Sequence, residues 1–177
     1  MFDRQPTRRG FLRASALAGA SLPMAQVALA QQPAGDPGAP FTYEVQRTEA
    51  EWRAPLNPDE YAILREGDTE WPASSPLWND YGAGDFDCRG CALHLYNSDW
   101  RAVIEQGFVF FYHSEPNAVL TGVERGNPYS MDKTPNQTLI EVHCRRCGSH
   151  LGHLVYVESK LVHCINGTSL EFRPAAA

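Results

Sequence analysis

The five cysteines of this 177-residue chain divide into two close pairs and one isolated thiol. Each pair has the spacing Cys-x-x-Cys, which lets both sulfurs point inward from a single tight turn. Two such turns can meet to form a tetrahedral cage of four sulfurs, the closed geometry that structural zinc prefers. The sequence therefore predicts a structural Zn²⁺ site, whose ligands are Cys88, Cys91, Cys144 and Cys147.

Two other interpretations of the cysteine pairs remain open from the sequence. Each pair could form a redox-active disulfide, which an oxidising compartment would favour. Iron could also occupy a four-sulfur site. Zinc is favoured because two matched pairs are a strong metal-site signal. An ion with four thiolate ligands has no open coordination position, so its expected role is to stabilise the fold.

Cys164 is the isolated thiol, and on composition alone such a cysteine is most often a small buried hydrophobe. Its neighbours favour a reactive role. Asn166 shares its face if the strand continues, while His163 points to the opposite face. His150 and His153 lie upstream with the spacing His-x-x-His, and imidazoles can lower a thiol pKa and supply protons. The same spacing also fits a second metal site or surface histidines.

Short helices followed by β-strands are the elements that must position these side chains. Helix starts are predicted at Thr48 and Asn57, because each offers a capping side chain with a glutamate three residues later. From Phe86 onward the pattern is typical of strands, with apolar or alternating runs. These runs lie at 108–112, 138–143, 154–157, 161–165 and 169–172. A long irregular loop is expected between them, over 114–137.

The N-terminal residues predict an export signal. Residues 7–13 read TRRGFLR, and a twin arginine followed by Phe-Leu resembles the bacterial twin-arginine signal. A mildly apolar run over 14–30 ends in Ala-Leu-Ala, a small-residue cleavage site, so cleavage is expected after Ala30. A disordered basic tail is the alternative. No cysteine lies at this site, so no membrane anchor is expected after cleavage.

The expected organisation is therefore a signal peptide over 1–30, a linker over 31–47 and one domain over 48–177, located in the periplasm. The segment 31–40 is rich in proline, glycine and alanine, which is typical of linkers. The net charge of −6 argues against nucleic acid and anionic membranes as partners. A monomer is expected for a small acidic domain.

Two C-terminal motifs resemble a known family. Residues 144–153 read CRRCGSHLGH and residues 164–172 read CINGTSLEF. They resemble the B-type methionine sulfoxide reductases, or peptide-methionine (R)-S-oxide reductases, which share Cys-x-x-Cys-Gly-x-His-Leu-Gly-His and Cys-Ile-Asn-Ser-x-Ser-Leu-x-Phe. The resemblance extends roughly from Trp52 to Phe172. It implies a mainly β fold of two antiparallel sheets, of the β-tent or Mss4-like kind, with short N-terminal helices and structural zinc.

The resemblance also implies a reaction. Cys164, as a thiolate, would attack the sulfoxide sulfur of methionine-(R)-sulfoxide, free or in proteins, and release methionine. His150 or His153 would protonate the departing oxygen, and Asn166 would orient the site. Cys164 would become a sulfenic acid, which an external thiol reductant would restore. The expected role is periplasmic repair of oxidative damage.

Three departures from the family pattern matter. Residues 107–111 match the family's Gly-Trp-Pro-Ser-Phe, so Phe108 replaces its tryptophan and Phe111 retains its phenylalanine. Val162 and His163 replace an arginine and a tyrosine before Cys164. Phe108, Phe111 and His163 are the expected substrate-binding residues. No cysteine remains to resolve a sulfenic acid if four bind metal. A binding module of the same fold, with weak or no reductase activity, is therefore the alternative function.

Overall fold

The computed structural model describes residues 41–125 and 138–176. The predicted signal peptide, residues 31–40 of the predicted linker and residues 126–137 of the predicted loop lie outside this part of the chain. None of the helices in the described part is long and apolar enough to span a bilayer.

Both predicted helices are present: α1 is Glu49–Arg53 and α2 is Pro58–Glu66. Thr48 and Asn57 each cap a helix through a capping box. The side chain of each accepts from the backbone amide of the glutamate three residues later, and that glutamate's carboxylate accepts from the backbone amide of the cap residue. Helix α2 ends at Gly67, which adopts the left-handed conformation that glycine tolerates best.

In the described residues, eight strands form two antiparallel sheets, which confirms the predicted fold class. The smaller sheet has the order β2-β1-β8 and the larger sheet has the order β3-β7-β6-β5-β4. The strands are β1 Gly84–Cys88, β2 His94–Asn97, β3 Val109–Phe111, β4 Val119–Arg125, β5 Thr138–Cys144, β6 His150–Val157, β7 Lys160–Ile165 and β8 Leu170–Pro174.

The structure differs from the sequence analysis in three places. The loop expected over 114–137 contains β4, which pairs with β5 from Val119 to Arg125, so cross-strand pairing overrides the polar local sequence. Strand β2 was not predicted, because four residues are too few to show a clear alternation. Residues 41–47, expected in the linker, contact the domain: the Val45 amide donates to the Arg146 carbonyl over 2.9 Å.

The larger sheet has apolar residues on both faces. The main core lies between the helices and the two sheets, and it includes Phe86, Tyr96 and Phe111. The aromatic rings of Tyr96 and Phe111 stack there with centroids 4.2 Å apart. A separate small cluster of buried residues contains Ala102, Ile104, Phe110, Val162 and Cys164. The isolated thiol of Cys164 therefore belongs to the small cluster and not to the main core.

Candidate active site and four-cysteine cluster

The four paired cysteines converge on one point, as the sequence predicts. All four sulfur atoms lie within 4.8 Å of one another, and no disulfide joins them. The Sγ–Sγ distance is 3.8 Å from Cys88 to Cys147 and 3.6 Å from Cys91 to Cys144. A tetrahedral zinc site with Zn–S bonds of about 2.3 Å separates its sulfurs by about 3.8 Å. The donor set and its spacing therefore fit a four-thiolate metal site.

The cluster joins the two sheets. Cys88 ends β1 of the smaller sheet, and Cys144 ends β5 of the larger sheet. Cys91 and Cys147 lie in the turns that follow. A metal held by these four sulfurs would cross-link elements far apart in sequence, and the cost of closing that long loop makes such a link stabilising.

Hydrogen bonds and two arginines surround the cluster. Ser149 Oγ lies 3.2 Å from Cys147 Sγ, and Arg65 Nη1 donates to the Cys147 carbonyl over 3.1 Å. Arg146 Nη1 donates to the Cys91 carbonyl over 3.3 Å. Hydrogen bonding from Cys144 and the neighbouring thiols holds the pKa of Cys147 well below its usual range. Hydrogen bonding with the neighbouring thiols instead raises the pKa of Cys144 and of Cys88, so four thiolates together need a cation to balance their charge.

A single register row across the larger sheet contains the candidate active site. Cys164 on β7 pairs with His153 on β6 and with Phe110 on β3. His153 pairs in turn with Glu141 on β5, and Glu141 pairs with Gly122 on β4. Directly opposed residues in antiparallel strands point to the same face. The sheet therefore brings a thiol, an imidazole, a carboxylate and an aromatic ring onto one face.

A β-bulge brings His150 and His153 together. In a regular strand, residues three apart point to opposite faces. Here Gly152 pairs with Val142 while His150 pairs with His143, so Leu151 is an extra residue in β6. The two imidazole rings consequently lie 5.2 Å apart. The His-x-x-His spacing is therefore a shared site and not a pair of unrelated histidines.

Each of these histidines is hydrogen-bonded to a carboxylate. His150 Nδ1 donates to Glu141 Oε1 and His153 Nε2 donates to Glu124 Oε2, both over 2.8 Å. The nearby His143 imidazole, 3.6 Å away, and the hydrogen bond from His150 hold the pKa of Glu141 well below its usual range. Burial lowers the pKa of His153, and the Glu124 carboxylate opposes that shift. His153 is thus a neutral base at neutral pH whose protonated form has a carboxylate partner.

The thiol of Cys164 is largely buried, with 8 % of the residue exposed. Burial, with a contribution from the Glu70 carboxylate, raises its pKa to about 12. The thiol is therefore protonated at neutral pH in the resting protein, whereas the sequence suggested a thiol made acidic by neighbouring imidazoles. A reaction through the thiolate requires a base close to the sulfur, and His153 is the imidazole directly opposite it.

Asn166 supports the bulge. Its backbone amide and its Nδ2 both donate to the Leu151 carbonyl, over 2.8 and 3.1 Å. Its Oδ1 accepts from the Glu70 amide over 3.1 Å. Leu151 is the extra residue between the two histidines. Asn166 therefore holds the backbone that carries His150 and His153.

Two of the three expected substrate-binding residues lie on the face of the larger sheet opposite to that of Cys164. Phe108 packs against the small cluster that contains Cys164. Phe111 instead belongs to the main core. His163 Nδ1 lies 3.0 Å from the hydroxyl of Tyr96, which is part of the same core. Strand alternation is the reason, because Phe111 and His163 are adjacent in sequence to Phe110 and Cys164. The aromatic residue that accompanies Phe108 beside the thiol is Phe110.

Comparison with known proteins identifies the family. The SelR domain matches residues 56–174 of the chain. The peptide methionine sulfoxide reductase MsrB of Agrobacterium fabrum is 35% identical over 136 residues, which cover 74% of this chain and 94% of that protein. The chain belongs to the B-type methionine sulfoxide reductase family.

Other relatives agree. Peptide methionine sulfoxide reductase B3 of Arabidopsis thaliana is 33% identical over 138 residues, covering 75% of this chain and 73% of that protein. MsrB of Thiobacillus denitrificans is 34% identical over 132 residues, covering 72% and 94%. Among solved structures, the Mis18 'Yippee-like' domain is similar with a TM-score of 0.43 and 14% identity, covering 54% of this chain and 99% of that chain.

As a B-type methionine sulfoxide reductase, this chain has an unusual environment around its isolated thiol. Val162, where the family motif has arginine, is fully buried in the small cluster with Cys164 and Phe110. The acidic partners Glu70, Glu124 and Glu141 were not selected from the sequence. Their positions relative to the histidines and Cys164 depend on strand register and on a contact between distant loops, which local sequence does not reveal.

Proposed function

We propose that this protein reduces methionine-(R)-sulfoxide to methionine with Cys164 as the nucleophile. Membership of the family supports this reaction, and the observation that carries it is the cross-strand pair of Cys164 with the carboxylate-bonded His153. A nucleophile, a base and a carboxylate that orients the base form the usual arrangement for activating a weak nucleophile.

In the proposed first step, His153 takes the thiol proton and the Cys164 sulfur attacks the sulfoxide sulfur. The imidazolium, stabilised by Glu124, then gives that proton to the sulfoxide oxygen. Oxygen transfer to Cys164 releases methionine and leaves a sulfenic acid, so the methionine sulfur is reduced and the cysteine sulfur is oxidised. His150, oriented by Glu141, is the second imidazole that can serve the oxygen.

An external thiol reductant is proposed to complete the cycle. Two equivalents of thiol would reduce the sulfenic acid of Cys164 to the thiol, forming one disulfide and one water. The other four cysteines are together in the four-cysteine cluster, which leaves Cys164 without a resolving partner. We propose that the cluster binds zinc, whose role with four thiolates is to stabilise the fold.

Export completes the proposal. We propose that residues 1–30 are a twin-arginine signal, that a linker joins this signal to the catalytic domain, and that the domain acts in the periplasm as a monomer. The arginine pair and the Ala-Leu-Ala site support this location. Changing Arg8 and Arg9 to lysine should retain the protein in the cytoplasm, as measured by cell fractionation. Equal periplasmic amounts of both forms would contradict it.

A second candidate function is a binding module with weak or no reductase activity. The burial of Cys164 and its raised pKa favour this alternative, because an inert core cysteine has both properties. It predicts that Cys164 does not react with an alkylating reagent in the folded protein.

The deciding experiment measures loss of the two epimers of N-acetyl-methionine sulfoxide with dithiothreitol as the reductant. We expect loss of the R epimer alone and no loss with Cys164→Ser. Zinc content should be the same in both proteins, which makes the variant a matched control. An active Cys164→Ser variant would refute the nucleophile assignment, and an inactive wild type with zinc bound would favour the binding module.

A further inference from the structure

Glu70 is a buried carboxylate that the proposed reaction does not use. It lies in the loop after α2, and 6 % of the residue is exposed. Its Oε1 accepts from the Gly167 amide over 2.7 Å. Its Oε2 accepts from the Thr168 amide over 2.8 Å and from the Thr168 hydroxyl over 2.7 Å. Burying a carboxylate is costly unless its oxygens accept hydrogen bonds, and these three bonds offset the cost.

The turn that Glu70 binds comes directly after Cys164 in sequence. Strand β7 ends at Ile165, and residues Gly167–Ser169 form a 3₁₀ turn. The Glu70 amide also donates to Asn166 Oδ1, so one residue makes four hydrogen bonds to residues 166–168. We call these four bonds the Glu70 latch.

The latch extends to the histidines through Asn166. Asn166 donates twice to the carbonyl of Leu151, the bulge residue between His150 and His153. A continuous set of hydrogen bonds therefore connects Glu70, the turn after the nucleophile and the bulge that aligns the two imidazoles. Ser169 Oγ adds a longer hydrogen bond from the same turn to the Leu151 carbonyl, over 3.5 Å.

The turn is also tightly packed against the loop that follows Glu70. A Cβ atom at Gly167 would lie 2.3 Å from Ser75 Oγ and 2.6 Å from Ser75 Cβ. Only a residue without a side chain allows this approach. The close contact leaves the turn little room to shift relative to the loop, provided that the Glu70 latch holds the two together.

We propose that Glu70 is a positioning residue, which holds the 166–168 turn against the β6 bulge and thereby aligns Cys164 with His153. This inference rests on the proposed function, in which Cys164 and His153 react together. Glu70 acts on the reacting groups through Asn166 and the turn.

The charge of Glu70 gives the proposal a separate readout. Its carboxylate is the second cause, after burial, of the raised pKa of Cys164. Among the described residues, the other titratable groups on this face are His153 and His150 on β6 and Glu141 on β5, with Glu124 behind His153. Strand β3 contributes the uncharged Phe110. The charge of Glu70 makes the Cys164 thiol less acidic, so that charge does not activate the nucleophile. We therefore attribute the role of Glu70 to the position in which it holds the turn.

The test compares three variants of the full chain. Glu70→Gln removes the charge and weakens the latch. Thr168→Val removes one latch bond and leaves the charge. Asp68→Asn is the matched control, because Asp68 is an exposed carboxylate of the same loop that accepts from the Thr69 amide and does not contact the turn. The measurements are kcat and KM for N-acetyl-methionine-(R)-sulfoxide and the pH profile of Cys164 alkylation by iodoacetamide, with Cys164→Ser as the blank.

We expect kcat of Glu70→Gln to fall about tenfold with little change in KM, as for the loss of one charge-assisted hydrogen bond. Its alkylation midpoint should move to lower pH. Thr168→Val should lower kcat and raise the alkylation rate, because the turn loosens, without moving the midpoint. Asp68→Asn should match the wild type in all three measurements.

An unchanged kcat in Glu70→Gln would overturn the proposal, even if the alkylation midpoint moved, because the residue would then act only through its charge. If Glu70→Gln does not fold, Thr168→Val decides, and wild-type kcat there overturns the proposal. If the wild type reduces neither epimer, the proposed function fails separately. The alkylation rate of Thr168→Val then tests the Glu70 latch alone, and a rate equal to that of the wild type would overturn it.

Discussion

His153 on β6 lies directly opposite Cys164 on β7, and its Nε2 is hydrogen-bonded to Glu124 on β4. Three strands thus contribute one group each to a thiol, imidazole and carboxylate set. The pKa of the thiol is raised and that of the imidazole is lowered, so the resting pair is neutral. Activation then depends on proton transfer within the pair, and the carboxylate stabilises the charged imidazole that results.

The first prediction concerns Glu124. Because Glu124 opposes the effect of burial on His153, Glu124→Gln should lower the pKa of His153 further and make its imidazolium harder to form. We expect kcat for the R epimer to fall about tenfold, as for one charge-assisted hydrogen bond. His153→Asn should cost about a hundredfold or more, the usual contribution of a general acid–base group.

Glu158→Gln is the control for Glu124, since Glu158 is an exposed carboxylate in the β6–β7 hairpin that pairs with Lys160. It should leave kcat unchanged. Equal effects of Glu124→Gln and Glu158→Gln would show that net charge, and not the contact with His153, determines the rate.

The second prediction concerns the four-cysteine cluster. We expect one zinc per chain by elemental analysis. Cys88→Ser should abolish metal binding and lower the free energy of unfolding by several kcal/mol, because the cluster joins β1 to β5 and metal binding contributes to folding (on the order of 10 kcal/mol in small zinc domains). Cys164→Ser is the matched control and should retain full zinc. Iron in place of zinc, or intact stability in Cys88→Ser, would contradict this prediction.

The third prediction separates two adjacent phenylalanines. Phe111→Ala should lower the free energy of unfolding by about 3–5 kcal/mol, because it opens a cavity in the main core. Phe110→Ala should instead raise the alkylation rate of Cys164, since Phe110 packs against that thiol in the small cluster. Urea unfolding and iodoacetamide labelling measure the two effects. If Cys164 were alkylated faster in Phe111→Ala than in Phe110→Ala at the same folded fraction, Phe111 and not Phe110 would be the residue that covers the thiol.

The fourth prediction concerns His163 and pH. Burial, with a smaller effect of His113, lowers the pKa of His163 to about 4. A histidine whose pKa falls on folding stabilises the protein fully above its unfolded pKa of about 6.5, and this contribution is lost as the pH falls toward the folded value. We therefore expect His163→Tyr to gain stability relative to the wild type as the pH falls through this window.

Urea unfolding of both proteins between about pH 7 and about pH 4 measures this difference. Both proteins share the four-cysteine cluster, so its own sensitivity to acid largely cancels. A difference that is independent of pH would show that His163 is accessible to protons in the folded state and is not buried beside Tyr96.

Much of the fold and of the metal site could be predicted from local sequence. The capping residues Thr48 and Asn57 specify their helices through bonds to residues three positions away. The two Cys-x-x-Cys pairs predict a four-sulfur cluster, since each pair sets its own turn. The motifs around His150 and Cys164 predict the family, which the SelR match confirms.

Only the tertiary structure decided which side chains share the active face. A one-residue change of register exchanges the two faces of a strand, and this is why Phe110 rather than Phe111 lies beside Cys164. The bulge at Leu151 places His150 and His153 on one face, where a regular strand would put them on opposite faces. Glu70 and Glu124 reach the site from 94 and 29 residues away in sequence by such pairings and loop contacts, which no local pattern encodes.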